Sequence, residues 1–475
     1  MPMDINSQGH ISALAPVIAK AYQLGKEQKF DEAYQVLLPH FVAKEIPTFF
    51  ESPCGWAIYR YLKKNEGKLS SRDVRRALAF YLTFASCKPS SLHSCIMIQA
   101  ANLEKKHEND FRFIEFCRMW KLESLRDEDF VSEKRTTESD KSIEYQSLAE
   151  NVATRLYKEL KKRHTEEFVN ELFPFFETVK EKCPNNRFIG MYIAQLYYWQ
   201  GNTDRAIAEY KALLRTTPEW FIWKNLGDIC EDKEVRISLY CKALTMMGKE
   251  EYIGELRLAL ANLLMGTNKE QAAYEVEQYM KTYKEKGWKI IGDAYLLQNR
   301  FSGVIPSAKA KQFYRGNIER AEAFAYSDIP VEELTYTGIV SNHAGKERAS
   351  LLNKQKKIFV RTSLTPLLRN ASVGDVFQVR VHDFNKRKIV LTIHPTDQKD
   401  CHVAVNIKQN VNDRDVCTIS GKVSVPAHGD FCFIDHQYFV PEKLAKANNL
   451  KEGDTVKAKA KKMPDGRWRV VSIIK

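Results

Sequence analysis

No stretch of this 475-residue chain approaches the roughly 18 consecutive apolar residues that a membrane-spanning helix needs. Its opening, MPMDINSQGH, lacks a basic patch followed by an apolar core, so no secretory leader is expected there. Ten cysteines occur, but no two lie closer than eight positions, and no CxxC pair is available to grip zinc. Most sit inside apolar helical or strand patterns and read as reduced, buried thiols of a cytoplasmic protein. The loops that cradle phosphates (GxxxxGK[ST], or GxGxxG after a strand), the HExxH metal helix and the GxSxG elbow are all missing. Asp127, Glu128 and Asp129 are the one dense carboxylate run considered for Mg²⁺, and their polar surroundings suggest a solvated segment instead. These absences predict a protein without a cofactor, a metal or an enzymatic centre.

What is present is unevenly distributed charge. The chain carries 73 Lys and Arg against 60 Asp and Glu. From Glu332 to Lys475 the count is 25 against 15, and the preceding 331 residues hold 48 against 45. Long-range attraction for a polyanion therefore belongs mainly to the C-terminal third.

The larger part of the chain has helical periodicity, and residues 10–328 are expected to be all-α. Residues 184–218 read PNNRFIGMYIAQLYYWQGNTDRAIAEYKALLRTTP, with Pro184 and Pro218 34 positions apart. Gly201 suits the turn between two helices, Ala206 is small where they would cross, and Tyr210 and Leu213 continue an apolar stripe. Trp223, Leu226, Gly227 and Cys230 follow at W-x-x-L-G-x-x-C spacing. This stretch resembles tetratricopeptide repeats closely at 187–244 and more loosely at 25–39 and 258–280. The resemblance implies stacked helical hairpins that hold a protein partner or serve as a spacer. Tyr197, Tyr198, Trp199, Trp220 and Trp223 read as core and ridge packing. Residues 10–125 form an expected N-terminal helical domain and 143–328 the repeats. Residues 126–142, highly charged and poor in apolar side chains, are expected to form a polar linker between them.

After Ser327 the pattern alternates with the two-residue period of strands. Two segments, 332–396 and 415–475, share a G-x-V-S start, a later F-V, a G-D turn and a final R-x-V/I-V strand. The duplication predicts two small five-stranded oligonucleotide-binding (OB) barrels. His343 and His428 recur in HAG and HGD, where turn chemistry explains them better than catalysis.

In the second segment, GDFCFI (429–434) and YFVP (438–441) place Phe431 and Phe433 on one strand face, opposite Cys432 and Ile434. This segment resembles the cold-shock domain, whose K-G-F-G-F-I and V-F-V-H strands carry a base-stacking platform. The resemblance assigns Phe431, Phe433 and Phe439 to stacking. Lys422, Lys457, Lys459, Arg467 and Arg469 supply phosphate neutralisation. Pro441 replaces the family's histidine, and Val425 stands where its first strand carries tryptophan. Trp468 either supplies a compensating ring or closes the core. In the first segment Phe359, Lys357 and Arg361, with the NKRK turn at 385–388, either extend a phosphate track or belong to a structural barrel.

The resulting expectation is a non-enzymatic adaptor. Single-stranded RNA or DNA sits on the terminal barrel and a protein partner on the helical repeats, with no membrane association. A scaffold whose barrels bind proteins and an unrecognised nuclease are the alternatives. The pairing of modules loosely resembles bacterial proteins linked to mobile-element conflict or nucleic-acid surveillance.

Overall fold

The computed structural model describes residues 5–106, 111–136, 142–246, 249–341, 347–353, 356–361, 366–384, 387–400, 416–426, 431–463 and 467–474. The chain divides into two compact units, Met1–Ala325 and Tyr326–Lys475. A largely helical region precedes OB-like β-structure. Among the described residues no helix is long and apolar enough to cross a membrane.

The first unit is a succession of helices packed chiefly on their sequence neighbours. Arg187–Trp199 and Thr203–Thr216 form one hairpin. Gly201 turns the chain with φ +78°, a conformation glycine adopts without steric cost. Asn202 then caps the second helix by accepting from the Arg205 N–H. Gly190 lies so close to Leu213 that an added Cβ would meet its side chain at 2.7 Å. Ala206, Tyr210 and Leu214 are fully buried in this hairpin.

Trp220–Ile229 and Lys233–Met246 form the next pair, with Trp223, Leu226 and Cys230 buried. Here Gly227 leaves room for the Tyr240 ring, whose hydroxyl donates to Asp228 at 2.7 Å. Of the aromatic residues assigned to packing, Tyr197 and Trp223 are buried and Tyr198 is partly exposed. Trp199 stacks on His164 with centroids 4.5 Å apart. Helical hairpins thus occupy the residues that carry the repeat spacing.

The 126–142 stretch departs from the linker expectation. Asp127–Phe130 form a short 3-10 turn, and strands β1 (Glu133–Thr136) and β2 (Ser142–Tyr145) pair antiparallel. The stretch does not split the helical body, which is one unit. Asp129 is 6% exposed and accepts from the Ser94 hydroxyl at 2.6 Å and from the Arg126 side chain at 2.8 Å. Asp127 remains solvated and pairs with Lys182 at 2.6 Å. Local composition is polar here because the burying partners come from distant helices. Residues 137–141 of this stretch lie outside the described residues.

The second unit contains two five-stranded arrangements. In the first, β3 (Val331–Ser341), β4 (Glu347–Leu352), β5 (Lys357–Arg361), β6 (Asp375–Phe384) and β7 (Arg387–Lys399) form an antiparallel sheet in the order β5-β4-β3-β6-β7. Its core gathers Leu334, Tyr336, Leu351, Ile358, Phe377 and Val379. Among the described residues this segment forms a five-stranded sheet with no β5–β7 pair, consistent with an OB-like domain. β6 and β7 instead continue their pairing out to Phe384 and Arg387.

In the second arrangement β8 (Val416–Ser424), β9 (Cys432–Ile434), β10 (Tyr438–Val440), β11 (Thr455–Lys462) and β12 (Trp468–Ile474) close into a barrel, ordered β10-β12-β11-β8-β9. Numbered within each segment, the order is third, second, first, fourth, fifth in both. The barrel adds a parallel β10–β12 pairing that joins the third strand to the fifth. A short helix, Glu442–Ala447, connects β10 to β11. This is the five-stranded topology of an OB-fold.

Candidate nucleic-acid interface

The terminal barrel sorts its side chains by strand alternation. Val423, Cys432, Ile434, Val440, Ala458, Ala460 and Val470 are buried and form the core. Burial pushes the Cys432 thiol above its usual pKa, because the thiolate would lose its hydration. The alternate positions, Phe433, Lys457, Lys459 and Arg469, point away from that core.

Phe431, Phe433 and Phe439 are partly exposed and lie outside the core cluster. Their centroids are 5.8 Å apart for Phe431–Phe433, 5.6 Å for Phe431–Phe439 and 5.8 Å for Phe433–Phe439. The contacts are edge-on or tilted, an arrangement favoured by the ring quadrupoles. Each ring therefore shields part of the next while the cluster as a whole stays at the surface.

Strand register connects this cluster to positive charge. Ser424 pairs with Phe433, Phe433 with Phe439, Phe439 with Arg469, and Arg469 with Lys461. Cross-strand partners share a face, so one row across the barrel reads serine, two phenylalanines, arginine, lysine. Lys459 and Lys457 follow Lys461 on the same strand face, about 7 and 14 Å further along. Lys422 pairs with Thr455 at the far end of that face and is exposed.

The hairpin that presents the rings has a specific support. Asp435 and His436 both adopt positive φ, +52° and +56°, and Gln437 N–H donates to the Ile434 carbonyl at 3.2 Å. Both central residues of this Ile434–Gln437 turn have the positive φ of a type I′ turn, and three residues, Asp435–Gln437, connect the paired Ile434 and Tyr438. Asp435 tolerates the left-handed conformation because its carboxylate accepts from the Lys422 N–H at 2.9 Å. Gly421 makes room, since a Cβ there would collide with that carboxylate.

Other expected site residues fall elsewhere. Trp468 is partly buried and packs on the core beside Tyr438, with centroids 5.9 Å apart. It occupies the closing position rather than the outer row, because it faces the same side as the core-packed Tyr438. Arg467 is exposed at the end of the β11–β12 connection. Val425 is 43% exposed just beyond β8, and Pro441 precedes the connecting helix.

In the upstream sheet Phe359 is 49% exposed, and the Lys357 ammonium lies 5.5 Å from its ring centroid. The neighbouring Lys356 is held by Glu332. Arg361 ends β5 opposite Arg348, and its side chain lies outside the described residues, as do His343, His428, Gly429, Asp430 and residues 385–386 of the basic turn.

Lys461 was missed by sequence reasoning, although the 457, 459, 461 alternation continues to it. Its importance arises from the Arg469 partnership, which only the register reveals. Among the described residues no group of three His, Cys, Asp or Glu is arranged to hold a metal ion.

No curated protein matches the chain. Residues 187–321 match the family model of a domain of unknown function, DUF7017, which overlaps the helical hairpins described above. The closed barrel, with its OB strand order and outward ring cluster, runs from Val416 to Ile474, and residues 418–473 match the S1/CSD-like domain 2 of the TOTE conflict systems, a module suited to nucleic-acid binding or interaction.

Proposed function

We propose that this chain is a non-enzymatic, cytoplasmic adaptor that holds single-stranded RNA or DNA on its terminal barrel and a protein partner on its helical unit. The observation that carries the reading is the row Phe433–Phe439–Arg469–Lys461, with Phe431 packed against both rings. Aromatic rings next to cations suit a flexible strand, because every base has a face to stack and every nucleotide a phosphate to neutralise. The face between the second and third strands is also the surface OB-folds use for oligonucleotides.

Three rings at about 1–3 kcal/mol per stacked base, with salt-sensitive help from the lysines, would give roughly micromolar affinity for a short strand. Little sequence preference follows, since stacking does not read base edges. The helical hairpins at 187–244 act as tetratricopeptide-like repeats that bring a second protein to the strand. Support for this role comes from the repeat spacing and from packed hairpins in the same residues.

Fluorescence anisotropy with a labelled 12-nucleotide strand at two salt concentrations tests the barrel. Binding that weakens with salt is expected. Absence of binding at low salt would leave the barrels as protein-interaction modules. Incubation with RNA and DNA plus Mg²⁺ or Mn²⁺ tests the non-enzymatic assignment, and cleavage that copurifies with the chain would overturn it.

A further inference from the structure

The helical unit contains a basic groove that the adaptor reading does not use. Tyr274, Lys309, Lys311, Gln312 and Arg315, beside two alanines, line an open depression of about 510 Å³. Lys309, Lys311 and Arg315 are exposed, and none has a carboxylate partner among the described residues. No acidic side chain lines the groove. Lys311 and Arg315 are four residues apart on the helix Ala310–Ala325, so they share one face about 6 Å apart along its axis.

The stretch of sequence that leads into this groove is unlike the rest of the helical unit. Residues 281–315 hold eight Lys and Arg against two Asp and Glu. Removing them from the 331 residues before Glu332 leaves 40 against 43. The positive charge of that large region therefore resides in this one stretch. The same stretch keeps large side chains in solvent: Trp288 is 43% exposed, Tyr295 48% and Ile305 82%. The helix Gly292–Arg300 buries only Ala294 and Leu297.

Uncompensated charge of one sign on a surface is self-repulsive unless a counter-charge arrives. An apolar-loving partner would not require three free cations, whereas a polyanion would be attracted by them. Exposed tryptophan and tyrosine in the same stretch suit unpaired bases better than a carboxylate-rich peptide. We infer that the groove of Lys309, Lys311 and Arg315 is a second phosphate-binding surface, and that the helical unit itself holds the backbone of single-stranded nucleic acid. This goes beyond the barrel reading and does not depend on it.

The test uses the full chain and a fluorescein-labelled 30-nucleotide uridine RNA, with affinity measured from 50 to 200 mM salt. Lys309→Gln, Lys311→Gln and Arg315→Gln are combined in the wild-type background and in a Phe433→Ala/Phe439→Ala background. Three lost phosphate contacts lower the salt slope by about 2, at about 0.7 each. That loss is expected in both backgrounds, with melting temperature unchanged because the replaced side chains are exposed. An unchanged slope in both backgrounds overturns the inference. So does displacement of the RNA from the phenylalanine variant by a polyglutamate peptide at equal charge concentration, which would make the groove an acidic-protein site. If the phenylalanine substitutions have no effect while the glutamine set does, the groove stands and the barrel reading falls.

Discussion

The two five-stranded segments share a strand order but differ in what they place on the surface. In the terminal barrel three phenylalanines touch one another outside the core, and two of them, Phe433 and Phe439, are in register with Arg469 and Lys461. In the upstream sheet one phenylalanine, Phe359, stands alone beside Lys357. Closure accounts for part of the contrast. The parallel β10–β12 pair sets Arg469 next to Phe439, whereas β5 has no described partner on that side. A duplicated topology thus provides two copies of a frame, and only one copy carries a row of stacking and neutralising groups.

The most severe way to break the contrast is to remove the rings. Phe433→Ala with Phe439→Ala should cost at least about 2 kcal/mol of strand affinity, roughly thirtyfold, at about 1 kcal/mol or more for each stacked base. Anisotropy titration measures it. Thermal stability should fall far less than for a core truncation, because neither ring belongs to the buried cluster. A collapse of the melting temperature would mean that the rings hold the barrel together.

A smaller effect is expected at the support of the hairpin. Gly421→Ala forces Asp435 away from the Lys422 N–H and disturbs the Ile434–Gln437 turn. Overpacking of this kind costs about 1–3 kcal/mol. Hydrogen exchange should show it as faster exchange confined to β8–β10, with the upstream sheet unaltered. Uniform acceleration across both segments would contradict the local account.

Much of this arrangement is legible in the chain itself. Alternation placed Phe431 and Phe433 opposite Cys432 and Ile434, and the structure buries the latter pair. The G-x-V-S and G-D landmarks exposed the duplication, which appears as a common strand order. Gly201 marked a helical turn that has the positive φ such a turn needs. The illegible parts depend on partners far apart in sequence. Asp129 is buried because Ser94, 35 residues earlier, supplies a donor. Lys461 joins the ring row only through Arg469, and Trp468 turns inward because Tyr438 meets it. Short-range pattern cannot see closure, since closure is a pairing between strands separated by a helix and another strand.

Charge offers a finer comparison within the barrel. Lys461→Gln with Arg469→Gln removes the two cations in the ring row, and the salt slope of strand binding should fall by about 1.4. Lys457→Gln with Lys459→Gln removes two cations one and two steps further along, and should reduce the slope less for a strand of four nucleotides. Equal losses from both pairs at that length would show that the strand does not follow the ring row.

The weakest effect is expected upstream, where it is also the most discriminating. Phe359→Ala removes one exposed ring and its cation contact, an interaction of about 0.5–1 kcal/mol at a surface site. Strand affinity should change by less than about fivefold, and stability by no more than about 1 kcal/mol. The reason is geometric: a base stacked on one isolated ring gains a single contact, while a base in the terminal cluster meets a surface built from three. If Phe359→Ala matches the loss seen for Phe433→Ala alone, the upstream sheet reads the strand as well. The two segments would then form one divided interface, and the contrast between them would be one of closure and not of function.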